Sequence, residues 1–233
     1  MMTSKALPIQ IILIMLCFVS SVYAKKTPKI QTGPSAEISY DGLHKVDHTV
    51  MDDVWAKPDI DLSQYKKILI ANTQVAFKDV KENSRRLYRR LNNSNEFSIT
   101  ERNKKRITQE IQITFKNELS KVETFQISET PGDDVLLIEA SIIDIVSHIP
   151  PEDYSSTDVY VRSAGEATLI LEFKDSISKE ILIRAVDQRA AQDYGFLQKT
   201  SAITDIIEFK RLANNWARTL RKRLDEISKM NDT

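Results

Sequence analysis

Val135-Leu136-Leu137-Ile138-Glu139-Ala140-Ser141-Ile142-Ile143-Asp144-Ile145-Val146 decides the fold class. Only Glu139 and Asp144 are charged, and so apolar a run fits a central strand covered on both faces, at least at its start. Ile149-Pro150-Pro151 stops it. A second long strand is expected from Val159 to Phe173, with Ala167, Leu169, Leu171 and Phe173 on one face and Glu166, Thr168 and Glu172 on the other. Gly165 inside it marks a bulge or a close backbone approach. The polar turn Asp175 to Lys179 then sends Ile181 to Ala191 back as the antiparallel partner.

Outward from this block the periodicity changes. Upstream, Phe125 to Ser128 reads as a short strand closed by Thr130-Pro131-Gly132-Asp133. Before it, Ile107, Ile111, Phe115 and Leu119 recur every four residues behind a capping box of Ser98 and Glu101, which predicts a helix. Tyr65 to Ala71 is expected to be a strand continuing through Val75 and Phe77. Downstream, Ile206, Phe209, Ala213, Trp216, Leu220, Leu224 and Ile227 predict a helix from about Ala202 to Ile227. Asp205 and Glu208 sit near its start and Arg218, Arg221, Lys222 and Arg223 near its end, in keeping with the helix dipole. The order is therefore β-α-β-β-β-β-α. Strands in a block rather than alternating with helices give an α+β class. The expected architecture is a single mostly antiparallel sheet of about five strands with two long helices packed on one face.

Residues 1–24 read as a cleavable signal peptide. Lys5 supplies the positive end, Leu7 to Val19 is apolar apart from Gln10, and Val22-Tyr23-Ala24 offers the cut after Ala24. The apolar run is short for a spanning helix, and bulky Leu16 before Cys17 suits a lipoprotein signal badly. Residues 25–38, polar with two Pro and one Gly, read as a flexible linker, leaving residues 39–229 as one domain. Cys17 is the only cysteine, so the mature chain forms no disulfide, thiolate zinc site or thiol nucleophile. A chain of this length buries about 70% of its unfolded surface without such staples.

The mature chain carries one net negative charge, which gives no global pull toward nucleic acid. Two local blocks stand out. From Asp41 to Asp61 six Asp face two Lys, and from Lys78 to Arg90 six basic residues face two acidic ones. In the first block His44 and His48 lie four apart beside Asp52. On a helix the two His would share a face and, with one carboxylate, hold zinc or another divalent ion, although Lys45 stands where a metalloprotease HExxH has Glu; a solvated acidic loop is the competing reading. In the second, Arg85, Arg86, Arg89 and Arg90 form a candidate anionic ligand site for lipid phosphate or polysaccharide, against the reading of a solvated charge run. Glu139, Asp144, Asp187 and Arg189 lie on expected strands. A carboxylate pair for acid–base chemistry is one reading. Structural ion pairs of Glu166 or Asp187 with Arg184 or Arg189 are the other, because buried charges are normally paired. Trp55 and Trp216 read as core anchors. No nucleophile elbow or glycine-rich phosphate loop occurs.

Tyr40-Asp41-Gly42-Leu43, Val54-Trp55-Ala56-Lys57-Pro58-Asp59 and Asp61-Leu62-Ser63-Gln64-Tyr65 resemble the opening of the domain of unknown function 3313 family. Gly165-Glu166-Ala167-Thr168-Leu169, Asp175-Ser176 and Arg184-Ala185-Val186-Asp187-Gln188-Arg189-Ala190-Ala191 are similar to its later signature, so the likeness covers most of Ser39 to Ile227. The resemblance implies an exported bacterial envelope protein with no established activity. Many members carry lipoprotein signals, which this chain lacks in convincing form. The expectation is a periplasmic, non-enzymatic binding or accessory module with no cofactor. Its partner would be a protein or envelope component met at an exposed sheet edge or at the stretch from Tyr154 to Arg162, with no nucleic acid and with peripheral contact to an anionic membrane as an option. The alternatives are a metal-dependent hydrolase using Asp41 to Asp53, or an anionic lipid or polysaccharide binder using Arg85 to Arg90.

Overall fold

The structure is a computed structural model; it describes residues 27–80, 96–149, 160–199 and 202–231, and at 160–162, 192–199, 202–204 and 227–231 the backbone alone. In chain order the elements are β1 (Lys29–Ile30), β2 (His44–Asp47), β3 (Asp53–Ala56), β4 (Lys67–Ile70), β5 (Gln74–Phe77), α1 (Glu101–Leu119), β6 (Gln126–Ile127), β7 (Val135–Ser147), β8 (Tyr160–Asp175), β9 (Ile181–Lys199) and α2 (Ala202–Asn231).

The class is α+β, as the sequence predicts, but the sheet is larger. Among the described residues it has nine strands rather than about five, in the order β1-β2-β3-β9-β8-β7-β4-β6, with β5 also on β7. From β1 to β7 every pairing is antiparallel, whereas β4, β5, β6 and β7 pair in parallel. The parallel edge follows from connectivity. A strand that leaves through a helix and returns beside itself comes back in the same direction, and α1 lies between β4 and β6.

Three differences from the sequence reading have local causes. The strand expected from Tyr65 to Phe77 is broken in two. Ile70 pairs with Ile138 and Gln74 with Ser141, so the first strand spends one residue more than β7 over that interval. Ala71 to Thr73 absorb the extra residue as a kink. Strands β1, β2 and β3 were not evident, being two to four residues long. The first of them sits inside the stretch expected to be a flexible linker, where Lys29 and Ile30 pair with Asp47 and Val46. Finally, Thr100 rather than Ser98 caps α1. Its side chain accepts from the Asn103 amide, and Glu101 takes up Lys104 at 2.7 Å instead of closing a box.

One hydrophobic cluster spans the molecule. Ile138 and Ile142 of β7, Leu169 and Leu171 of β8 and Ala185 of β9 join Ile111 and Phe115 of α1 and Phe209 and Trp216 of α2. The two helices lie against each other, α1 touching β5 and α2 touching β8 and β9. Val135 to Ile138 are all buried, so the start of β7 is covered on both faces. Gly165 marks a close backbone approach: a methyl group there would stand 2.2 Å from the Val146 carbonyl oxygen. Opposite it β7 bulges between Ile143 and Val146, with Asp144 at φ 53°. Among the described residues no helix is long and apolar enough to cross a membrane.

Candidate functional site

Alternation along the strands sends Glu139, Glu172, Arg184 and Trp55 to the face of the sheet opposite the helices. Register then aligns them in one row, Glu139 with Glu172, Glu172 with Arg184, Arg184 with Trp55, and Trp55 with Lys45. Opposite charges set side by side across strands hold the row together. Lys174 Nζ lies 2.6 Å from Glu139 and 2.7 Å from Glu172. Arg184 Nε donates to Glu172 at 2.8 Å, and Lys45 Nζ sits 5.4 Å above the Trp55 ring and 2.8 Å from Asp53.

The same guanidinium reaches beyond the sheet. Its Nη1 and Nη2 donate to the two Asp41 oxygens at 3.2 and 2.6 Å, a bidentate grip, and its carbon lies 5.5 Å from the centre of the Tyr40 ring. Residues 38–44 form a hairpin closed by the Ile38–His44 bridge and the Gly42 amide bonded to the Ser39 carbonyl, with Gly42 at φ 82° as the turn requires. Arg184 therefore clamps the hairpin onto the sheet. Tyr40 stands 93% exposed at its tip.

Titration follows these contacts. The Arg184 guanidinium, with the Ser39 hydroxyl in support, holds Asp41 below the usual carboxylate range despite some desolvation. Burial raises the Glu172 carboxyl, but Lys174 and Arg184 outweigh it and leave it lowered. Away from the row, where β8 ends, Asp175 is lowered chiefly by the Ser178 amide, while burial and Asp175 push the Tyr65 phenol up to about 12.

The sequence candidates fall into three groups. Arg184 and Asp187 do form structural ion pairs, with partners partly different from those expected. Asp187 Oδ2 accepts from Arg189 Nε at 2.5 Å, a strand neighbour two residues on, and also from the buried Trp216 Nε1 at 2.7 Å. Arg184 pairs with Glu172 and Asp41, since alternation puts it and Asp187 on opposite faces. Glu166 lies on the open face, several residues along β8 from Arg184. Trp216 is a core anchor, but Trp55 is not: it is half-buried in the charged row.

The metal candidates do not come together. His44 belongs to a strand, where residues four apart are separated by about 13 Å, and His48 lies beyond its end. His44 Nδ1 is 2.8 Å from the Gln31 carbonyl, and Asp52 accepts the Gln188 amide at 2.7 Å. Among the described residues no group of three or more His, Cys, Asp or Glu could hold a metal ion. Arg85, Arg86, Arg89 and Arg90 lie outside the described residues, as does most of the Tyr154 to Arg162 stretch. Glu139 is taken by Lys174 and Asp144 sits on the bulge, so the structure does not assemble these two as an acid–base pair.

Two partnerships escaped the sequence. Nothing in the chain joins Asp41 to Arg184, which are 143 residues apart. Nor does it join Ser147 to Asp205, although a charged residue on the apolar stripe of α2 was a signal that it needed a partner.

The family model described as a protein of unknown function (DUF3313) matches residues 34–220, and the chain belongs to that family. No curated protein matches the chain. Three solved structures resemble it loosely. Protein XCC0632 from Xanthomonas campestris, of family model DUF330, is 9% identical over 76% of this chain and 94% of its own, with a TM-score of 0.42. A neuraminyllactose-binding hemagglutinin homolog from Helicobacter pylori is 13% identical over 74% and 92%, with a TM-score of 0.38. The PelC dodecamer from Paraburkholderia phytofirmans is 8% identical over 72% and 97%, with a TM-score of 0.32.

Proposed function

We propose that this member of the family is an exported, periplasmic envelope protein acting as a non-enzymatic binding or accessory module for a protein or envelope component. One observation carries the reading. A tyrosine exposed over 93% of its surface sits on a hairpin that Arg184 and Asp41 lock in place. A solvated aromatic side chain has little to gain where it stands, whereas a rigidly presented one loses little entropy on binding and makes an efficient anchor. The charges beneath it are already matched to one another, which suits a scaffold for that anchor.

The test is a photo-crosslinking residue placed at position 40 in cells, with position 113 on α1, also exposed, as control. A discrete crosslinked species from position 40 alone supports the reading; none, or the same set from both positions, contradicts it. Export is checked separately, because cleavage after Ala24 gives a mature chain whose mass begins at Lys25.

A further inference from the structure

The first turn of α2 meets the last residue of β7 through one buried contact. Asp205 is 5% exposed, and its two carboxyl oxygens lie 3.0 and 2.9 Å from Ser147 Oγ. That hydroxyl also lies 3.1 Å from the Ile149 carbonyl oxygen and accepts the Ile149 amide at 2.9 Å. A hydroxyl has a single hydrogen. If Asp205 is ionised, carboxylate and carbonyl compete for it and one goes without. If Asp205 is neutral, its own O–H donates to Ser147 Oγ, the Ser147 hydrogen goes to the Ile149 carbonyl, and all three groups are satisfied.

We propose that Asp205 is a buried neutral acid whose ionisation frees the start of α2 from the end of β7, making this junction a pH-sensitive latch.

The surroundings favour the neutral form. Burial pushes the carboxyl up to about 7, against the opposing pull of Ser147. On α2 the next buried group is Glu208, one turn on; its Oε1 accepts from Arg211 at 2.8 Å and its Oε2 has no partner among the described residues. From β7 the titratable groups are His148 beside Ser147 and Asp144 on the exposed bulge. From β8 the titratable group is Glu166, on the open face; Gly165, which faces α2, carries none. On α1, Glu110 is paired with Lys210 at 2.7 Å. The helix dipole favours an ionised Asp205 by at most about 1.5 pH units, less than the burial that opposes it.

The sign follows from proton counting. An unfolded or released Asp205 titrates near its ordinary 3.8 and the latched one near 7. The latch is fully closed below about pH 4 and weakens by up to about tenfold per pH unit until about pH 7.

The test is carbon-13 NMR of the labelled mature chain. The Asp205 Cγ resonance is expected to titrate near pH 7, and amide protection at residues 206–209 to fall between pH 5 and 7. In Asp205→Asn, whose amide donates to Ser147 at every pH, that protection should be flat. A Cγ titration below pH 5 overturns the proposal, as does a variant that keeps the wild-type pH dependence. Should the variant fail to fold, the wild-type titration alone decides.

Discussion

At position 165 a methyl group would stand 2.2 Å from the Val146 carbonyl oxygen and 2.9 Å from Phe209 Cζ, so Gly165→Ala must push β8 off the β7 bulge or displace α2. Overpacking of this kind costs about 3 kcal/mol or more where backbone is the obstacle. Urea denaturation measures it, and shortening Phe209 in the same chain should restore only a minor part, because the carbonyl stays in place. Trp216→Phe takes one of two donors from the buried Asp187 oxygen, and a loss of about 2 kcal/mol is expected in the same assay. Residues of this sort differ in how far sequence reveals them. Gly165 stood out as a glycine in an alternating strand, and Asp187 with Arg189 as neighbours on one strand face. Trp55 looked like core because aromatic residues usually are; only the register that sets it beside Arg184 and Lys45 places it in the charged row.

Among the elements, the cross-strand row has consequences for acid stability. Asp41, Glu172 and Asp175 have folded pKa values below their ordinary ones. Their contribution is complete above about pH 5 and disappears as pH falls through the lowered values. Asp205 acts in the other direction, weakening the fold above about pH 4. The stability optimum measured by urea titration across pH is therefore expected between about pH 4 and 6. Arg184→Ala should flatten the acid limb by returning Asp41 and Glu172 toward ordinary values. The variant should also expose the hairpin, seen as faster hydrogen exchange at the Ser39 and Leu43 amides, which bond to the Leu43 carbonyl and the Ser39 hydroxyl. The long elements were legible because β8, α1 and α2 each repeat a period several times and β7 is a long, nearly unbroken apolar run. Strands of two to four residues hold no complete repeat, and the kink between β4 and β5 depends on the strand they pair with. Parallel pairing at that edge was implicit in the order strand, helix, strand.

For the whole molecule, a single buried cluster running from Ile30 to Leu224 ties the first strand to the last helix. Unfolding should be one cooperative transition, with tryptophan fluorescence and far-ultraviolet circular dichroism superimposing; two separated transitions would show that the β1–β3 hairpin region folds apart from the rest. The family motifs also gain a spatial meaning at this scale. Tyr40-Asp41-Gly42, Trp55 and Arg184, scattered in sequence, converge on one patch of the open face. That convergence makes the clamped tyrosine the centre of the functional account. Its most direct test is to place the photo-crosslinking residue at position 40 in both the wild-type and the Arg184→Ala chain and compare yields in cells. The account predicts a specific product in the first and its loss in the second, with the fold retained; equal yields in the two would contradict it.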